Sequence, residues 1–197
     1  MHAEGSPIVI VIVGPTASGK SAVGMELARR TGGEIVSADS MQVYLGMDIG
    51  TAKATPQERA AVPHHLIDVA RPDEIFSVAR YQELAAEAVS DIWDRGRLPI
   101  VVGGTGLYID ALIYGFLFPE EGRNPEVRAG LEKEAAECGV GALYARLEQV
   151  DPAAAARIHH NDLRRIVRAL EVHMATGEPI SSLQGRHQGE PRYETRI

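Results

Sequence analysis

Pro7-Ile-Val-Ile-Val-Ile-Val-Gly-Pro-Thr-Ala-Ser-Gly-Lys-Ser21 is the stretch whose reading decides the architecture of this chain. Ile8–Val13 is an unbroken β-branched run, the pattern of a buried strand. It feeds Gly14, Pro15, Thr16, Ala17, Ser18, Gly19, Lys20 and Ser21, which match G-x-x-x-x-G-K-[ST] at every fixed position. The spacing has a chemical reason. Gly14 and Gly19 let backbone N–H groups converge on phosphate oxygens, and a helix starting near Gly19 aims its positive end at the same point. Lys20 adds a mobile cation, and the Ser21 hydroxyl is placed to enter a Mg²⁺ shell. A ligand carrying a di- or triphosphate is expected here.

The chain has 197 residues, 45% hydrophobic and 24% charged, which suits one globular domain with a small insertion. No apolar run reaches the roughly 18 residues of a membrane span, and the N-terminus lacks a signal-peptide pattern. A cytoplasmic protein without membrane contact is expected. A single cysteine, Cys138, excludes an intramolecular disulfide framework and a cysteine-based zinc site. Net charge of −7 argues against nonspecific nucleic-acid binding, but the charge is uneven. Residues 151–197 hold 7 bases against 6 acids, whereas residues 1–115 hold 9 against 14 and residues 116–150 hold 4 against 7. Of the 20 bases, 17 are Arg, whose planar fork suits phosphate oxygens, so a local nucleic-acid footprint stays open.

Through residue 115, strand and helix patterns alternate. Strands are expected at Ile8–Val13, Glu34–Ala38, His65–Val69 and Leu98–Val102. Helices are expected at Ser21–Thr31, from a Ser77 cap to Gly96, and from Gly106 to about Gly115. This alternation predicts an α/β fold: a P-loop NTPase-like parallel sheet with helices on both faces. Beyond a turn-rich connector at Pro119–Gly122 the pattern becomes helical: about Pro125–Cys138, Gly141–Val150, Pro152–Ile158 and Asp162–Thr176. Asn161 is the expected cap of the last helix, and Leu163, Ile166, Val167, Leu170 and Met174 its apolar stripe. Three segments follow: a core over 1–115, a helical insertion over 116–160, and over 161–197 a return helix with the start of a core strand.

Ligands of open parallel sheets bind outside the carboxyl ends of the strands. The phosphate loop, Asp39-Ser40 and Gly103-Gly104-Thr105 all lie at such ends and should meet in one crevice. Asp39 is a general base or Mg²⁺ partner, or else the cap of a helix beginning at Ser40-Met41. Thr105 donates to a ligand, caps the helix at Gly106, or does both. Arg164, Arg165 and Arg168 lie opposite the apolar stripe, as an anion-binding face or a solvated one. His64-His65 and His159-His160 are adjacent pairs without the i, i+4 spacing of a helical metal site. A small-metabolite kinase is one reading of the loop, but it wants an acid closing a second strand. The strand ending at Val102 runs into Gly-Gly, leaving only Leu66-Ile67-Asp68.

Several further segments, taken with the loop, share one resemblance. They are Ser37-Ala-Asp-Ser-Met-Gln-Val-Tyr44, Asp48-Ile-Gly-Thr-Ala-Lys53, Pro63-His-His-Leu-Ile-Asp68, Phe76-Ser-Val-Ala-Arg-Tyr81, Val102-Gly-Gly-Thr-Gly-Leu-Tyr108, Pro125-Glu-Val-Arg128 and Asn161-Asp-Leu-Arg-Arg-Ile-Val-Arg-Ala-Leu-Glu171. In this order they resemble the tRNA dimethylallyltransferases, also called tRNA isopentenyltransferases. The resemblance implies that the loop, customarily labelled ATP-binding, cradles the pyrophosphate of dimethylallyl diphosphate with Mg²⁺ as cofactor. It implies transfer of the prenyl group to N6 of the adenosine 3′ to the anticodon in tRNA. Asp39 would take the N6 proton, with Thr105 and Lys20 completing the catalytic set. Asp39, Ser40, Met41, Gln42, Thr105 and Arg128 would contact tRNA, as would Arg164, Arg165, Ile166, Val167 and Arg168. Residues 116–160 would clasp the anticodon stem-loop, and a monomer is expected. Family members continue further, with more helices and a completed sheet, so the chain is expected to be truncated at Ile197. A cousin acting on adenylate differs in its acceptor, and the Arg-bearing helix and the insertion favour tRNA; a catalytically incomplete nucleotide- or RNA-binding fragment is the non-catalytic alternative.

Overall fold

Strands β1 (Ile8–Val13), β2 (Glu34–Ala38), β3 (His64–His65), β4 (Pro99–Gly103) and β5 (Glu194–Arg196) form one sheet in the order β3-β2-β4-β1-β5. Every pairing is parallel. The computed structural model describes residues 7–115, 124–185 and 191–197. Pairing in register sets Val13 opposite Gly103, and Ala38 on the other side of Gly103. The carboxyl ends of β1 and β2 therefore flank that of β4.

Strand periodicity explains the two-sided core. Val9, Val11, Val36, Ala38 and Val101 face Tyr81, Ala85, Val89 and Ile92 of α3 (Val78–Asp94) and Ile109, Leu112 and Ile113 of α4 (Gly106–Tyr114). The alternate residues Ile10, Ile12, Ile35, Ile100 and Val102 face Met25 and Ala28 of α1 (Lys20–Thr31). Each fully buried aliphatic side chain stabilises the fold by about 1.5–3 kcal/mol, so the sheet is fixed between its two helical layers. This is the α/β architecture expected from the alternation. α2 (Pro56–Ala61) begins with a capping box between Thr55 and Glu58.

The chain divides into two compact units. The first comprises residues 1–116 and 190–197 and holds the sheet; the second comprises residues 117–189. In the second, α5 (Pro125–Cys138), α6 (Val140–Val150), α7 (Pro152–Ala155), α8 (Leu163–Thr176) and α9 (Ile180–Gly185) follow one another. Leu131, Leu143, Leu147, Ala154, Ile166, Val167 and Leu170 make its core. The return helix expected to open a separate segment at 161 thus packs on α5 and α6 as part of this unit. No helix among the described residues is long and apolar enough to cross a membrane.

Some local expectations change. The strand expected over His65–Val69 stops at His65, because Leu66 (φ 62°) and Asp68 (φ 58°) adopt left-handed backbone. Asp162, not Asn161, caps α8, its side chain accepting from the Arg165 N–H. Met174, expected in the apolar stripe, is 47% exposed. The Pro119–Gly122 turn lies outside the described residues.

Candidate active site

Within the phosphate loop the Ser18 N–H donates to the Pro15 carbonyl at 3.3 Å. Ala17 (φ 64°) and Gly19 (φ 85°) are both left-handed, and Gly19 caps α1 without any side-chain hydrogen bond. The first N–H groups of a helix have no intrahelical partners, so they face whatever sits in the loop. A non-glycine residue held in this backbone region is strained, a state that clusters at ligand sites. Lys20 Nζ donates to the Pro15 carbonyl at 3.1 Å. Its ammonium also lies above the end of β4, where a Cβ on Gly104 would stand 4.0 Å from it.

Close approach at β4 assembles the second half of the site. A Cβ on Gly103 would stand 2.1 Å from the Ala38 carbonyl oxygen, so only glycine fits. That carbonyl accepts from the Thr105 N–H at 3.1 Å. Thr105 caps α4 by its backbone, yet its hydroxyl makes no capping bond. Instead Thr105 Oγ1 accepts from the Ser40 N–H at 3.0 Å. Asp39 is half-buried, and its Oδ1 accepts from the N–H groups of Met41 (2.9 Å) and Gln42 (3.4 Å). It therefore closes a turn rather than capping a helix.

A cleft of about 220 Å³ joins these parts. Thr16, Lys20 and Ser21 line it from the loop, and Ser37, Asp39, Met41 and Gln42 from the end of β2. Gly50, Thr51, Ala52 and Ala54 form another wall, and Met25, Ile35 and Val102 an apolar floor. The convergence expected from topology holds for the loop and Asp39, and Thr105 joins through Ser40.

Sequence reasoning missed the supports of this cleft. Gln42 Nε2 donates to the carbonyls of Thr51 (3.0 Å) and Ala52 (3.2 Å), while Ser37 Oγ donates to Gln42 Oε1 at 3.0 Å. Lys53, with a side chain 2% exposed, donates to Tyr44 O at 2.8 Å, Asp48 Oδ1 at 2.7 Å and Asp68 Oδ1 at 2.7 Å. Burial opposes the charge on Lys53, but the bonds to Asp48 and Asp68 outweigh it and raise its pKa. Arg59 binds the other oxygen of Asp68 at 2.7 Å. Asp68, the remaining acid for a kinase-type metal site, is thus spent on two cations. Tyr108 stacks on Tyr81 at 4.0 Å; burial first, then the charges of Tyr44 and Asp39, push its hydroxyl up to about 12. It stays protonated at neutral pH. The signal for these supports was present in Asp48–Lys53 and Pro63–Asp68, and Lys53 is one of 3 lysines among 20 basic residues.

The expected tRNA contacts other than the Asp39 turn and Thr105 belong to the second unit and divide there. Arg164 and Arg165 are exposed, Arg165 reaching Asp162 at 3.4 Å. Ile166 and Val167 are buried at 0% and 2% and pack in the unit's core, so their side chains do not face a ligand. Arg128 and Arg168 both donate to Glu171 Oε2, at 2.8 and 2.9 Å, and the Asn124 N–H donates to Glu171 Oε1 at 3.2 Å. Glu171 is 1% exposed. Burial raises its pKa, but the two guanidinium groups and the amide outweigh burial and lower it.

Comparison with known proteins gives this arrangement a family. The family model described as IPP transferase matches residues 42–197. A tRNA dimethylallyltransferase from Roseiflexus sp. (strain RS-1) is 59% identical over 187 residues, 95% of this chain and 61% of that protein. One from Geobacillus thermodenitrificans is 52% identical over 189 residues, 96% and 60% respectively. The chain thus spans about three-fifths of the length of these curated relatives. Among solved structures, a full-length tRNA isopentenylpyrophosphate transferase from Bacillus halodurans is similar at 50% identity and TM-score 0.57, over 88% of this chain and 57% of that one. A eukaryotic dimethylallyltransferase caught acting on tRNA is similar at 32% identity and TM-score 0.82, over 96% and 47%. The sheet is P-loop NTPase-like, as in these neighbours. With its phosphate loop, its Asp39 turn and a family model covering residues 42–197, the chain belongs to the IPP transferase family.

Proposed function

We propose that this protein transfers the dimethylallyl group of dimethylallyl diphosphate to N6 of the adenosine 3′ to the anticodon in tRNA. The observation that carries the reading is the shared cleft of Lys20, Ser21 and Asp39, which sets a phosphate cradle beside a carboxylate. In the reaction the bond between the prenyl carbon and the diphosphate oxygen breaks, and a bond from that carbon to N6 forms. Charge grows on the departing pyrophosphate, so Lys20 and the N–H groups at the start of α1, within the loop Gly14 to Ser21, bind the transition state more tightly than the ground state. Asp39 takes the proton released by N6. Thr105 holds the Ser40 N–H and so keeps the backbone beside Asp39 in place.

Among the described residues no cluster of three His, Cys, Asp or Glu forms a metal cage. Mg²⁺ needs no such cage, since it keeps waters and takes one or two protein oxygens alongside phosphate. Ser21 lines the cleft and its Oγ would hold the ion; when bound, the ion would neutralise charge on the diphosphate.

Arg164 and Arg165 offer exposed guanidinium groups for tRNA phosphates, with Ser40 and Met41 contacting the RNA near Asp39. The target adenine leaves its stack to reach the carboxylate. The reading has the protein working as a monomer in the cytoplasm, where its tRNA substrate is found.

The test supplies labelled dimethylallyl diphosphate and unmodified tRNA while following ATP hydrolysis in parallel. Label in tRNA without ATP consumption is the expected result. Transfer of a γ-phosphate to a metabolite, or no label in tRNA, overturns it.

A further inference from the structure

The wall of the cleft that holds Gly50, Thr51, Ala52 and Ala54 carries strained backbone at Ala52, and two further strained residues, Leu66 and Asp68, lie outside the lining. Ala52 (φ 49°), Leu66 (φ 62°) and Asp68 (φ 58°) are three of the four non-glycine left-handed residues among the described residues; the fourth, Ala17, is in the phosphate loop itself. Such residues persist only where their surroundings over-determine them. One ammonium binds Asp68, in the second of these segments, and belongs to the residue that follows Ala52 in the first. Lys53 gathers a carbonyl and two carboxylates from three points of the chain, Tyr44, Asp48 and Asp68. The Asp68 N–H donates to Gln42 O at 3.2 Å and the Val69 N–H to Val43 O at 2.8 Å, tying the second strained segment to the residues that follow Asp39. Gln42 closes the circuit by holding the carbonyls of Thr51 and Ala52.

We propose that Lys53 is a positioning residue: a buried latch that shapes residues 44–54 into the wall of the diphosphate cleft and steadies the Asp39 turn, without touching the ligand. Its side chain is too buried to reach the cleft, and it is not among the residues lining it. Replacing it leaves Asp68 with Arg59 alone and Asp48 in solvent, so the rest of the sheet keeps its packing while this wall loses its anchor. The inference rests on reading the cleft as a diphosphate site.

The test combines amide hydrogen exchange with calorimetric binding of inorganic pyrophosphate in the presence of Mg²⁺. Lys53→Met is expected to speed exchange over residues 44–54 while amides of β1 and β4 stay protected, and to weaken pyrophosphate binding about tenfold or more. Asp48→Asn, which removes the charge of one exposed partner, is expected to move both readouts the same way by about threefold. It decides the matter if Lys53→Met does not fold. Uniformly faster exchange across the sheet, or faster loop exchange with unchanged pyrophosphate affinity, overturns the latch. So does Asp48→Asn with both readouts unchanged. Wild-type protein that takes no pyrophosphate removes the functional reading and this inference together. Failure of the latch alone is distinct from that: normal wild-type binding that Lys53→Met leaves intact.

Discussion

The Ser40 N–H donates to Thr105 Oγ1 at 3.0 Å, across 65 residues of sequence. That bond joins the turn after β2 to the turn after β4 and sets the position of the candidate base. Thr105→Val keeps the shape and removes the acceptor, leaving a part-buried N–H unpaired at a cost of about 1–3 kcal/mol. We expect prenyl transfer to fall by about 10–10² with Thr105→Val and to be largely restored by Thr105→Ser. Equal rates for the valine and serine variants would remove the hydroxyl from the account.

Asp39→Asn separates chemistry from structure. The asparagine oxygen still accepts from the Met41 and Gln42 N–H groups, so the turn survives, but the side chain no longer takes a proton. Transfer should slow by about 10²–10⁴ while pyrophosphate affinity stays near wild type. Single-turnover kinetics beside calorimetry measure the two, and a near-normal rate dismisses Asp39 as the base.

The arginines of α5 and α8 should split into two classes. Arg164→Ala and Arg165→Ala are expected to weaken tRNA binding and to reduce the slope of log affinity against log salt by about one each. Arg128→Ala strips a partner from buried Glu171 and should also lower folding stability by about 1–3 kcal/mol, read by urea denaturation. Unaltered salt slopes for Arg164→Ala and Arg165→Ala would return that face to plain solvation.

At the opposite end of β2, Glu34 is 2% exposed and is bound by Arg95, with His65 at 2.7 Å and Arg97 at 3.2 Å. Hydrogen bonding from Arg95 outweighs burial and, helped by His65, lowers its carboxyl from 4.5 to about 2. The unfolded chain thus binds this proton more readily than the folded one. The contribution is complete above about pH 4.5 and is lost as pH falls toward 2, amounting to about 2 kcal/mol after allowance for the part-exposed Arg95. Thermal melts between pH 7 and 2 should show this loss, and Glu34→Gln should flatten it. Equal slopes for the two proteins would contradict the assignment.

Much of the site could be read in advance because its parts are local. A β-branched strand, a glycine loop and a helix start lie within residues 7–21, and each makes its signal with near neighbours. Ile166 and Val167 show the limit. The segment that holds them matched a family motif as a block, but a helix divides a block between two faces, and these two residues went to the core. Thr105 shows another: cap residues have a local role by default, and its hydroxyl was taken by an amide 65 residues away.

The amino-acid order by itself determined the alternation of strand and helix, the glycine–lysine loop at Gly14–Ser21 and the strand ends that border the cleft, since short-range sterics and hydrophobic period suffice for all three. Only the tertiary structure decided that Lys53, Asp68 and Gln42 hold the cleft wall, and that Glu171 gathers Arg128 and Arg168. Those are contacts of buried charge, and their partners are chosen by the folding of distant segments onto one another, which no local pattern records.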